Sequence, residues 1–339
     1  MITSCDLIGL PYTPDLSEGG IAYACRWLAS TFERMGDSPA ERLRRSAGGA
    51  ALELAFRRHL SAQAVPFDVR EGTPFSQPEH YTLALGGHRC DIISYLITHP
   101  NQVAQLRRDP ASLLQAPALI PLDQFAAEGH KQDDLYVFAF LMGRVATTQE
   151  DMRAASAAGQ PVHLIYTLPE AWRRPGNWQR LERLALKSEC AGAMPVEVGG
   201  MDAQRNFVTA ACELPPRTRV GLPQEFYSLA YMHAGRLPDA RLGLHSLVRG
   251  EAYIIQPYEW GDIWIQGEQI LLAGWLTHEE FRSQAVVLNA GAPTLQFAHT
   301  HTKNLLVRTD ALNPLGSLLE KVRGWEAGKT INIKTNTLC

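Results

Sequence analysis

Apolar positions along this chain fall into two rhythms, and the change from one to the other divides it. In the first half, apolar residues recur at helical spacing: Ile21, Cys25 and Leu28 share one face, and Leu52, Leu54, Ala55, Phe56 and Leu60 form the stripe of a helix centred near residue 54. Ser38-Pro39 is a fitting start for it, since proline in the first helical turn gives up no internal hydrogen bond. Next come a short strand in "VPFDVRE" and the pair "HYTLALGG" and "HRCDIISYLIT", broken at Gly86-Gly87, a dipeptide that marks a hairpin. The segment from Pro100 to Gln132 reads as loop with a short helix. "DDLYVFAFLMG" is apolar without alternation from Leu135 to Met142, the pattern of a central strand covered on both faces. "TTQEDMRAASAAG" then supplies a helix with a threonine cap and Gly159 at its end, and "VHLIYTLP" another buried strand. Strand, helix, strand in that order predicts a parallel crossover.

Beyond Arg173 the pattern shifts. After "RRPGNWQ", a turn-rich link, "WQRLERLALKSE" reads as a short helix. The strands "MPVEVGG", "RNFVTAACELP", "ARLGLHSLV", "EAYIIQPY" and "DIWIQGEQILLAGWLT" follow at the close spacing of a sandwich or barrel. "HEEFRSQA" is a short helix with Thr277 and Glu280 at capping-box spacing, and "LNPLGSLLEKVRGWEAG" a last helix. The organisation expected is an α/β domain over residues 1–175, and a mainly β accessory domain with a C-terminal helix over 176–339. The second is expected to hold its own core around Trp260, Trp264 and Trp275.

Composition changes this picture little. The 339 residues are 45% hydrophobic and 20% charged, ordinary for a globular protein, and a net charge of -3 provides no global basic field. Arginine far outnumbers lysine, which suits bidentate contacts to carboxylate or phosphate and equally reflects genome composition. Six scattered cysteines, with no CxxC pair, fit a reduced, cytoplasmic protein. No signal peptide and no stretch of membrane-spanning length is read, so no membrane partner is expected.

The candidate chemistry centres on "GGHRCDIISYLIT", where Asp91 opens a run of strand formers. With Glu53 on the helix and Glu79 in "QPEHY", Asp91 completes an acidic trio in the order helix, antiparallel strands, loop, buried strand, helix, strand. This order resembles the core of the PD-(D/E)XK (restriction-endonuclease-like) nuclease superfamily over residues of about 45 to 170. The resemblance implies a restriction-endonuclease-like fold and a nucleic-acid partner, DNA before RNA, with a protein partner as a further option. By family analogy it also implies a place in a defence or mobile-element system. If the site is active, Asp91 and Glu79 bind Mg²⁺ and Glu53 assists, because phosphodiester cleavage needs a hard, oxygen-liganded cation to stabilise charge and activate water. The family's lysine two residues after the acid is replaced here by Ile93, and side chains two apart on a strand face the same side.

Three readings stay open. The scaffold has lost hydrolysis and binds nucleic acid or a partner as a non-catalytic subunit; or His88, Arg89, Lys131 or Ser94 supplies the missing polar or charged group; or Asp91 is a turn residue and Glu53 a solvated helix charge. Elsewhere, His299 and His301 form an HxH pair that could ligate a transition metal with Glu279 or Glu280, or merely end a polar strand. "EAWRRPGNWQR" interleaves Trp172 and Trp178 with Arg173, Arg174 and Arg180, as stacking on bases or as a packing corner. Cys90 beside His88 reads as a buried, inert thiol.

Overall fold

A computed structural model describes residues 2–28, 38–69, 83–127, 129–181, 184–246 and 252–335, with side chains through 325. The chain begins with strand β1 (Ile8–Pro11) and helices α1 (Pro14–Trp27) and α2 (Pro39–Ala62). Strands β2 (Asp68–Val69), β3 (Leu83–Leu85) and β4 (His88–Ile97) follow, then α3 (Pro100–Arg108), β5 (Pro117–Pro121), α4 (Leu122–Phe125) and β6 (Leu135–Arg144). After α5 (Gln149–Ala157), β7 (Leu164–Thr167) and α6 (Glu170–Arg173) comes a strand-rich stretch. It comprises β8 (Ala185–Ser188), β9 (Met194–Met201), β10 (Phe207–Leu214), β11 (Arg219–Gly221), β12 (Ser228–Ala234), β13 (Leu242–His245), β14 (Ala252–Ile255) and β15 (Gly261–Asp262). The chain closes with β16 (Gln266–Thr277), α7 (His278–Gln284), β17 (Val286–Leu288), β18 (Asn304–Arg308) and α8 (Leu315–Thr335).

The protein is mixed α/β and divides into two compact units, each assembled from separated segments. Unit 1 comprises residues 1–16, 48–144 and 267–339; unit 2 comprises 17–47 and 145–266. The division expected at residue 175 falls inside unit 2, and the chain passes from one unit to the other four times.

Unit 1 holds a six-stranded sheet in the order β1-β16-β6-β4-β3-β2. Gly86 and Gly87, at φ 60° and 89°, close the expected β3–β4 hairpin; two successive left-handed residues suit glycine alone. β4 then pairs in parallel with β6, with Asp91 opposite Tyr136 and Ile93 opposite Phe138. β6 is the central strand its apolar run predicts, buried from Leu135 through Gly143. On one face Ile93, Tyr95 and Ile97 pack with Tyr136, Phe138 and Phe140, and with Phe281 of α7. The other face carries Cys90 and Ser94 and takes α2, where a Cβ on Gly49 would come within 3.0 Å of Ser94 Oγ. A three-stranded sheet, β17-β18-β5, completes the unit. The segment after β4 is more ordered than its loop-like composition suggests, because Leu113, Leu119 and Ile120 are apolar anchors in the same core.

Unit 2 holds a five-stranded sheet, β10-β9-β12-β7-β15, and a four-stranded sheet, β11-β8-β13-β14. Their inward side chains, among them Leu186, Val198, Leu229, Met232 and Leu244, make one core with Trp260, which lies just before β15.

Three expectations are corrected. β7 does not return to β6 as a parallel neighbour: it pairs antiparallel with β12 and β15 in the other unit. The helix expected over 178–189 is absent from the described residues there: 178–181 and 184 carry no regular element and Ala185–Ser188 form β8, because Leu186 is held between β11 and β13 on either side. The three tryptophans share no C-terminal core: Trp260 and Trp264 lie in unit 2, whereas Trp275 is on β16, inside the sheet that also contains β4 and β6. Ladder partners and core volume decide these placements, and both act over sequence distances that periodicity does not register.

Candidate functional site

Asp91 stands near the start of β4 on the face it shares with Arg89, Ile93 and the β6 residue Tyr136. Arg89 clasps it with two parallel contacts, Nε to Oδ1 at 3.0 Å and Nη2 to Oδ2 at 3.0 Å. Both side chains are 12% exposed. Burial raises the Asp91 carboxyl above its ordinary range, against the opposing pull of Arg89 and His130. The positive charge beside Asp91 thus comes from two residues before it on the strand, on the same face. Ile93 faces that side too, and it packs in the aromatic core with Phe138.

A polar shell lies next to this pair. Asp134 accepts a hydrogen bond from the Lys131 amide at 2.8 Å, and the His130 Nδ1 lies 3.6 Å from the same carboxylate oxygen. The Asp134 carbonyl accepts from the His278 amide at 2.7 Å, which ties the start of α7 to the loop before β6. The His278 ring lies parallel to Phe125 at 4.2 Å and to His130 at 5.2 Å. Its Nδ1 is 2.8 Å from Tyr136 Oη. Burial, helped by His130, lowers the His278 pKa, and burial raises that of Tyr136, so the phenol donates to a neutral imidazole. None of these partners is signalled by a motif. Only the spacing of His130 and Asp134, four apart before a buried strand, marks them in the sequence.

Glu53 of the predicted trio does not join Asp91. Glu53 lies on α2, on the Cys90 face of β4, where it pairs with Arg57. Alternation along β4 therefore puts Glu53 and Asp91 on opposite sides of the sheet. Glu79 lies outside the described residues. Among the described residues no three His, Cys, Asp or Glu side chains are grouped to hold a metal ion. A Mg²⁺ at Asp91 would also meet the Arg89 guanidinium on the oxygens it needs. The described residues therefore do not fit Mg²⁺.

The other candidates are placed as follows. Cys90 is buried, and burial first, then Asp91 and Glu53, pushes its thiol well above the usual range, which makes it a poor nucleophile. His88 pairs with Asp133 at 3.0 Å and lies against Trp325. His299 contacts the Gly291 carbonyl at 3.2 Å, and both it and His301 are exposed. Trp172 and Arg173 are buried, Arg173 Nε donating to the Leu168 carbonyl at 2.9 Å, so this stretch is packing. Trp178 is covered by the Arg205 guanidinium at 4.9 Å.

Unit 2 contains a second buried polar layer. His163 and His233 stack at 3.7 Å, the His163 amide donates to Asp262 at 2.8 Å, and Tyr231 donates to Glu197 at 2.7 Å. Burial, with His233 adding to it, lowers the His163 pKa to about 3, whereas burial raises Asp262 to about 6.

In comparison with known proteins, no family model matches the chain, and no match is found among curated proteins or solved structures.

Proposed function

We propose that this is a nucleic-acid-associated protein whose unit 1 is a restriction-endonuclease-like scaffold that has lost phosphodiester hydrolysis and works by binding, alone or as the non-catalytic subunit of a larger assembly. The order α2, antiparallel β2-β3-β4, α3 and then β6 parallel to β4 supports the scaffold. DNA as the partner follows from that resemblance. The observation that carries the loss of hydrolysis is the Arg89–Asp91 clasp. A carboxylate whose two oxygens are both held by a guanidinium, beside an isoleucine that belongs to the core, is built as a structural ion pair. The test is cleavage of single- and double-stranded DNA and RNA with Mg²⁺ by the wild type and Asp91→Ala. No metal-dependent cleavage by the wild type is expected. Cleavage that disappears in Asp91→Ala would overturn the loss of hydrolysis, and cleavage that persists in Asp91→Ala would move the site elsewhere in the chain.

A further inference from the structure

The four-stranded sheet of unit 2 has one face in the core and one in solvent. Leu186, Ser188, Leu242 and Leu244 are buried, while Lys187, Gly243, His245, Ala252 and Ile254 alternate with them and line a shallow groove of about 160 Å³ together with Arg219, Arg241 and Glu189. Three permanent cations and one carboxylate bound this groove, in a chain whose net charge is -3.

The placement of the cations is unusual for a sheet. Arg219 of β11 and Lys187 of β8 are direct register partners. Like charges opposite one another on strands about 4.8 Å apart destabilise the pair. Glu189 relieves the repulsion only in part: it reaches Lys187 at 3.6 Å and Arg241 at 2.8 Å. Arg219 extends across β8 to β13, where its Nη2 lies 2.8 Å from His245 Nδ1, so the imidazole ring orients the guanidinium. The floor is small: a Cβ on Gly243 would meet nothing nearer than Lys187 Cβ at 3.7 Å. Ile254, 49% exposed, lies at the side.

We infer that this face holds the phosphodiester backbone of a nucleic acid. The inference rests on the nucleic-acid reading of the protein and names the surface that would serve it. A row of cations crossing several strands fits a ligand with repeating negative charge. The oriented guanidinium suits a phosphate, and the exposed isoleucine gives an apolar surface for sugar or base. Because every contact of this kind is to backbone, binding is indifferent to sequence.

The test is fluorescence anisotropy with labelled single-stranded DNA of mixed sequence at increasing NaCl. Three phosphate contacts predict a slope of log affinity against log salt of about -2. Lys187→Gln with Arg219→Gln is expected to weaken binding about tenfold and to bring the slope to about -0.7. Gly243→Leu keeps the charges but fills the floor, and is expected to weaken binding with an unchanged circular dichroism spectrum. Arg153→Gln, an exposed charge on α5, is expected to change little. Binding by the wild type that the double substitution and Gly243→Leu leave intact overturns the groove alone. No binding by the wild type overturns the nucleic-acid reading, and the groove with it. Displacement of the bound DNA by a polyglutamate peptide that binds more tightly than the DNA overturns nucleic acid as the occupant.

Discussion

Asp91 shows how one neighbour changes what a residue can do. Placed on a strand with a lysine two positions on, a carboxylate serves a cation; clasped by Arg89 and flanked by Ile93, it joins a core to a polar shell. Asp91→Ala takes the carboxylate away from a largely buried guanidinium and is expected to cost about 3–5 kcal/mol in urea unfolding. Arg89→Met with Asp91→Leu should recover most of that loss, because both buried charges are then replaced by apolar groups of similar size. A double variant whose loss equals the two single losses added together would show that the pair does not act as a unit. Ile93→Lys places an ammonium among Phe138 and its neighbours and is expected to cost about 3 kcal/mol or more; a change under about 0.5 kcal/mol would contradict the packing described. Most of this was open to reading in the sequence. Asp91 and the departure at Ile93 are visible there, and Arg89 is one of four residues, with His88, Lys131 and Ser94, that could supply a charge or polar group; that it clasps Asp91 is not visible. The shell of His130, Asp134, Tyr136 and His278 was not, because α7 arrives more than a hundred residues after β6.

Elements defined by local chemistry were read correctly. The Gly86-Gly87 hairpin, the apolar β6, a threonine cap for α5, which falls to Thr148 and not to its neighbour Thr147, and the Thr277–Glu280 box of α7 all stand where residue types predict them. Elements defined by partners were not: β8 looks helical in isolation, and β7 looks like the return of a crossover. The glycine hairpin carries its own prediction. At Gly86 a side chain meets a left-handed backbone and a Trp325 ring carbon 2.5 Å away. Gly86→Ala is therefore expected to lower stability by about 1–3 kcal/mol in a thermal or urea melt, and a neutral result would show that Trp325 is free to withdraw.

For the whole molecule, acid acts on the polar layer of unit 2 and truncation on the core of unit 1. His163 has a folded pKa of about 3, far below that of a free imidazole, so its contribution is full above about pH 6.5 and is lost as pH falls towards 3. Asp262, raised to about 6, works the other way: the fold favours its protonated form, and stability falls as pH rises from about 4 to about 6. His233, Glu197, Tyr231 and Cys25 make up the rest of that layer. His163→Phe keeps a ring against His233 without the titration, and the acid unfolding midpoint is expected to move to lower pH; an unmoved midpoint would remove His163 from the acid response. A fragment ending at residue 175 lacks β16, α7 and β18, so the Phe138 face of β6 loses Phe281. It is expected to show no cooperative melt and weak near-ultraviolet circular dichroism, and a cooperative transition would show that β16 is dispensable. The same arrangement sets an order of events during synthesis. β6 is complete when residue 144 is made, but its sheet neighbour β16 ends 133 residues later, at 277. At about 5–20 residues per second the most apolar strand of the protein waits roughly 7–27 s for that neighbour. All the segments of unit 2 are made before then, so the unit that starts the chain is the last to close.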